Sequence, residues 1–151
     1  MDIDYVRMKN FRQYLDAKVE FARSPENFTV IQGANGAGKT NLLNAITWCL
    51  FGKELHVDSK YKGLPICNTT TLYESGDDVF EVEVEIQFAQ SDGKKMVVTR
   101  TKHYKKGKND SLAEISSPRS LSVIGKCKGT GLAQSMEMMH STLLIVIYRP
   151  Q

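Results

Sequence analysis

Residues 33–40 read Gly-Ala-Asn-Gly-Ala-Gly-Lys-Thr, and this string constrains the fold more than any other part of the chain. It satisfies the spacing GxxxxGK[S/T], and both flanks agree with it. Before it, Phe28, Thr29, Val30 and Ile31 form a short apolar run suited to a buried strand. After it, Leu42, Leu43, Ile46 and Leu50 recur at helical spacing, and Gly52 stands where a left-handed C-terminal cap would sit. Glycine admits backbone dihedrals closed to other residues, so successive N–H groups can turn inward around one phosphate. The helix N-terminus adds a favourable dipole. The expected contacts are the loop residues Gly33, Gly36, Ala37 and Gly38. Lys39 would reach the β- and γ-phosphates as a flexible point charge, and the Thr40 hydroxyl would ligate Mg²⁺. An accidental glycine-rich turn is the alternative, and it leaves the agreement of both flanks without a reason.

Around this centre the apolar patterning predicts mostly strands. Ile3 and Tyr5, then Leu15, Ala17, Val19 and Phe21, alternate on either side of the polar pair Arg12-Gln13, which reads as a β-hairpin. Residues 24–27, Ser-Pro-Glu-Asn, break the pattern as a turn. Residues 53–76 lack a period and read as a long irregular connection. Phe80, Val82, Val84, Ile86 and Phe88 alternate with Glu81, Glu83, Glu85 and Gln87, the pattern of a half-buried strand. Asp92-Gly93 supplies turn chemistry, and residues 96–104 form the returning strand, so that glutamates of the first strand could face Arg100 or Lys102. A second turn over 105–110 leads into a short strand over 112–115. The division expected is a lobe over 1–117 and a poorly specified tail over 118–151, in the manner of a truncated or unnatural end.

Composition removes several classes. The 20 basic and 17 acidic side chains give a net charge of +3, which allows nucleic-acid contact without demanding it. Cys49, Cys67 and Cys127 are odd in number and widely spaced, so neither a disulfide framework nor a zinc site is suggested and a reducing cytoplasm fits best. His56, His103 and His140 form no ligand spacing. The N-terminus has no apolar stretch of signal-peptide length, and the longest apolar run, over 143–148, is too short to cross a bilayer. The basic stretch 102–108 could meet a DNA backbone, and solvation of a hairpin tip explains it equally well.

Two strings, VRMKNFRQY from Val6 and VIQGANGAGKTNLLNAITWCLFG over 30–52, closely resemble the N-terminal lobe of the SMC, RecF and SbcC/Rad-fifty ATPases, SbcC/Rad-fifty above all. The resemblance is specific because it joins the Asn10-Phe11-Arg12 string upstream to the helix downstream. It implies an α/β P-loop NTPase fold, the N-terminal lobe of an ABC-type ATPase, with antiparallel β-hairpins beside the phosphate-loop strand and helix. It also implies ATP with Mg²⁺ as ligands, and an ATPase of double-strand-break repair and chromosome maintenance acting on double-stranded DNA. A C-terminal lobe, a second head and a repair nuclease would be its partners, with no membrane. By the same resemblance Arg12 is a nucleotide contact, Asn35 lies beside the γ-phosphate, and Lys39 is the catalytic cation. Asn41, next along the helix, is a further candidate contact. The alternatives are that Arg12 is a solvated hairpin arginine, Asn35 a turn residue, and Asn41 no more than first-turn polarity.

A complete ATPase of this kind also needs a glutamine loop, a Walker B strand ending in Asp-Glu and a signature motif. Gln134 and Gln151 match the first only by rough distance. The apolar run over 143–147 imitates Walker B but continues Tyr148-Arg149-Pro150, with no carboxylate. The chain therefore reads as half a site with little turnover alone. The rival readings are a non-catalytic nucleotide-binding remnant and another P-loop enzyme such as a transporter ATPase.

Overall fold

A computed structural model describes residues 2–21, 28–55, 64–68, 70–71, 79–89, 93–107, 112–115, 121–124 and 144–148. The chain opens with β1 (Asp2–Phe11) and β2 (Tyr14–Glu20), an antiparallel hairpin with Phe11 opposite Tyr14. Strand β3 (Phe28–Gln32) then feeds the glycine loop and helix α1 (Lys39–Phe51). Strands β4 (Val79–Ala89) and β5 (Lys95–Lys106) form a long antiparallel pair, followed by β6 (Leu112–Glu114), β7 (Leu121–Ile124) and β8 (Leu144–Tyr148).

The strands make two sheets. One is antiparallel in the order β2-β1-β4-β5-β6, with β7 also paired to β5. The other pairs β3 with β8 in parallel, Phe28 opposite Leu144 and Gln32 opposite Tyr148. The apolar run near the end of the chain thus forms a strand beside the one that enters the glycine loop.

The period-2 pattern of β4 does what its residues dictate. Phe80, Val82, Val84, Ile86 and Phe88 are buried on one face, and α1 packs across it. Val6, Met8 and Phe11 of β1, with Met96, Val98 and Tyr104 of β5, complete that face. From α1 come Leu42, Ile46, Trp48, Cys49 and Leu50; of the stripe read from spacing, Leu42, Ile46 and Leu50 are buried and Leu43 is only half-buried. The rings of Phe11 and Trp48 lie 5.7 Å apart between centroids, joining hairpin to helix.

One expected pairing is corrected. Arg100 stands opposite Val84 and Lys102 opposite Val82, while Glu81, Glu83 and Glu85 face His103, Thr101 and Thr99. Residues directly opposite in an antiparallel pair share a face, so this register sends Arg100 and Lys102 to the helix side, away from the glutamates. Arg100 bonds carbonyls of α1 and Lys102 pairs with Glu114 at 2.9 Å. The turn at 24–27, Asp92 of the Asp-Gly turn, Cys127, His56, His140, Gln134 and Gln151 lie outside the described residues. Gly93 lies within them, at φ 79°. No helix among the described residues is long and apolar enough to cross a membrane.

Candidate nucleotide-binding site

The glycine loop takes its shape from two positions no other residue fills easily. Gly36 has φ 82° and Gly38 has φ 96°, both in the left-handed region where a Cβ is strained. Gly38 is also the N-cap of α1, so the helix begins without a side-chain cap, and its first turn holds no acidic residue. The first N–H groups of the helix lack intrahelical acceptors, and the dipole places partial positive charge there. An anion is the ligand that answers both conditions.

Lys39 folds back over the loop, its ammonium donating to the carbonyl oxygens of Gly33 at 2.5 Å and Ala34 at 2.9 Å. The Ala37 N–H closes a turn on Ala34 at 3.2 Å. Asn35, Gly36, Ala37 and Thr40 are exposed, so their polar groups can meet a ligand. Lys39 and Thr40 stand side by side at the start of the helix, the arrangement in which a cation reaches phosphate oxygens while a hydroxyl ligates a magnesium ion beside them. The donor set fits a nucleoside triphosphate with its magnesium, which would neutralise phosphate charge when bound.

Arg12 has another partner. With φ 50° it sits at the β1–β2 turn, and its guanidinium forks onto Glu54, Nε donating to Oε1 at 3.0 Å and Nη2 to Oε2 at 2.6 Å. Nη1 donates to the Pro65 carbonyl at 3.3 Å. Both side chains are shielded, 17% and 11% exposed. The reading of Arg12 as a solvated hairpin arginine therefore fails, since a bidentate ion pair occupies it. The backbone of the same turn binds the segment 64–68: Arg12 N–H donates to Ile66 at 2.7 Å, and Asn68 N–H to Asn10 at 2.8 Å. Buried Asn68 donates its amide to the Arg12 carbonyl at 2.7 Å. Asn10 in turn accepts from the Thr71 hydroxyl and donates to the Glu81 carbonyl. The Asn10-Phe11-Arg12 string is thus a junction between hairpin, helix end and the segment that follows.

Two neighbours of Arg12 reach the glycine loop instead. The Tyr14 hydroxyl donates to the Gly38 carbonyl at 3.1 Å, and the Gln13 amide donates to that of Gly36 at 3.4 Å. Asn41 donates to Gln13 Oε1 at 2.6 Å, so it faces the hairpin turn. Gln13 and Tyr14 stood in the sequence only as a polar break and as the end of the string VRMKNFRQY, with no site role, because no local signal says where a hairpin turn docks. The basic stretch is partly engaged: Lys102 also lies over the Tyr104 ring at 5.2 Å, and His103 meets Glu81 at 3.1 Å.

A strand that turns through left-handed glycines into an uncapped helix, flanked by antiparallel strands, defines the nucleotide-binding head of the P-loop NTPases. A family model described as an AAA domain matches residues 5–129, and the chain belongs to that family, among the SMC/RecF-type ABC ATPases. Over 57 residues it is 42% identical to the DNA replication and repair protein RecF of Desulfitobacterium hafniense, covering 38% of this chain and 15% of that one. Over 112 residues it is 32% identical to the RecF of Natranaerobius thermophilus, covering 74% of this chain and 25% of that one. The chain thus spans a quarter or less of the length of these relatives. A solved structure described as "Structural biochemistry of ATP-driven dimerization and DNA stimulated activation of SMC ATPases" shares the fold, with a TM-score of 0.56 at 19% identity over 94% of this chain and 80% of that one.

Proposed function

We propose that this chain is the ATP-binding lobe of a DNA repair or chromosome-maintenance ATPase, holding the triphosphate in the loop over 33–40. The observation that carries the reading is the loop itself, with Gly36 and Gly38 left-handed, Lys39 folded across it and no acid in the first helical turn. Gly33, Gly36, Ala37 and Gly38 form the cradle, with Asn35 beside the terminal phosphate. Lys39 is the catalytic cation and Thr40 the magnesium ligand. Arg12 is a further nucleotide contact by family resemblance, and Asn41, in the first turn of the helix, is a candidate contact beside it.

Hydrolysis requires a positioned water and a carboxylate to hold it. Strand β8 runs beside β3 as Leu-Ile-Val-Ile-Tyr, none of them acidic, which supports low turnover by the chain alone. A C-terminal lobe would complete the site, and a second head and double-stranded DNA are the partners of the assembly. That the neighbouring solved structure concerns ATP-driven dimerization and DNA-stimulated activation of SMC ATPases supports both. A role in double-strand-break repair with a nuclease, in the cytoplasm, is the finer form of the reading and rests on resemblance alone. Titrating the chain with a fluorescent ATP analogue tests the centre of it. Lys39→Ala should weaken binding about 10- to 100-fold, as expected for losing charge-assisted bonds. Equal binding by the two proteins sinks the assignment, and brisk Mg²⁺-dependent hydrolysis by the chain alone sinks the half-site.

A further inference from the structure

The glycine loop poses a mechanical problem. Its shape depends on Gly36 and Gly38, which sample more dihedrals than any other residue, and α1 has no side-chain cap to hold its start. Something outside the loop must fix the peptide planes if the N–H groups are to stay aimed at a ligand. We propose that Tyr14 and Gln13 are positioning residues for nucleotide binding: from the β1–β2 turn they clamp the Gly38 and Gly36 carbonyls and so orient the loop for a triphosphate. The inference rests on the phosphate-loop reading above.

The Gly38 carbonyl accepts from two donors, the Leu42 N–H at 2.9 Å and the Tyr14 hydroxyl at 3.1 Å. In a trans peptide the N–H points opposite to the C=O, so holding this oxygen from two sides also aims the Lys39 N–H. That N–H is one of those at the helix start with no intrahelical acceptor. Gln13 acts on the tip of the loop. Its amide donates to the Gly36 carbonyl, and its own oxygen accepts from Asn41 in the first helical turn, so one side chain spans loop and helix.

The clamp fits closely and has a firm base. A Cβ added at Gly38 would run into both the Gln13 amide and the Tyr14 hydroxyl. Tyr14 pairs with Phe11, which is fully buried against Trp48, and Arg12 between them is tied to Glu54. Burial raises the Tyr14 hydroxyl above its ordinary value, so it remains a proton donor at neutral pH.

The test uses Tyr14→Phe, which removes only the hydroxyl, and Gln13→Ala, which alters an exposed side chain. Each is titrated with the fluorescent ATP analogue, with Lys39→Ala as control, beside a thermal midpoint and the backbone amide resonances of Gly38 and Lys39. Each variant should lose about threefold to tenfold in affinity, the worth of one hydrogen bond. The Lys39 amide resonance should shift or broaden in Tyr14→Phe while the thermal midpoint stays near that of the parent chain. Wild-type affinity in both variants overturns the proposal. So does a loss that merely tracks a lowered midpoint, which marks a structural role. Should Tyr14→Phe fail to fold, Gln13→Ala decides by the same criteria. If Lys39→Ala binds as well as the parent chain, the phosphate-loop reading falls and the clamp with it; if only Lys39→Ala loses binding, the clamp alone falls.

Discussion

Helix α1 closes at Gly52 with its last turn bound from several sides, whereas it opens at Gly38 with neither a side-chain cap nor an acid in its first turn. At the closing end Gly52, at φ 73°, donates its N–H to Trp48 at 2.8 Å. Arg100 reaches over from β5 to the Cys49 carbonyl at 2.7 Å and that of Leu50 at 3.4 Å. A cation on the last carbonyls matches the negative end of the dipole, so sequence, dipole and packing all favour the folded state there. The opening end forgoes the carboxylate that would stabilise it most. The closing end is tied to the sheet through Arg100, and the opening end has no acid in its first turn.

The junction of Arg12 with Glu54, behind the helix, is the most sensitive point. Arg12→Ala leaves Glu54 shielded without its partner and should cost about 3 to 5 kcal/mol, read from urea unfolding. A small stability loss with a large loss of ATP affinity would instead show that Arg12 serves the nucleotide first. Next in size, Arg100→Met should lower stability by about 1 to 2 kcal/mol through the helix carbonyls that lose its bonds, with nucleotide affinity unchanged. Any fall in affinity beyond that of the folded fraction would mean the two ends are coupled.

Asn41→Asp sharpens the contrast from the other side. A carboxylate in the first turn should raise stability by about 0.3 to 1 kcal/mol while weakening ATP binding by repulsion. Thermal midpoint and affinity should therefore move in opposite senses, and parallel movement would contradict a helix start reserved for an anion. The smallest effect is silent at neutral pH. Burial pushes the Cys49 thiol up to about 12, its Sγ lying 3.3 Å from the Val84 carbonyl. A raised folded value means a contribution fully present below the unfolded value near 9 and lost as pH rises toward 12. Cys49→Ala should flatten the fall of the thermal midpoint across that window, and an unchanged slope would show the thiol does not titrate there.

Much of this fold was legible along the chain because its signals are local. The alternation of β4 and the stripe of α1 follow from periods of two and 3.6, and Gly52 as a left-handed cap follows from its place after the last apolar residue. The short strand expected over 112–115 is β6, ending at Glu114. The pairing of glutamates with Arg100 and Lys102 failed for a reason outside local reach. Register is chosen by which face each strand buries, and charge attraction at a surface is too weak to move it. The tail showed no stable period, yet residues 121–124 pair with β5 and 144–148 with β3, contacts that join segments far apart in sequence.

By itself the sequence determined that a glycine loop with the spacing of a phosphate-binding motif stands between a strand and an amphipathic helix, since the glycines, the lysine and the flanking periods lie within about two dozen consecutive residues. It also determined the half-buried strands, since each carries its own alternation. Only the tertiary structure decided that Tyr14 and Gln13, rather than Arg12, touch the loop, and that Arg12 turns to Glu54. A hairpin turn has two sides, and which neighbour each side meets depends on how sheet and helix pack around Phe11 and Trp48. That packing is a sum over residues from the whole chain, and no short stretch of it carries the answer.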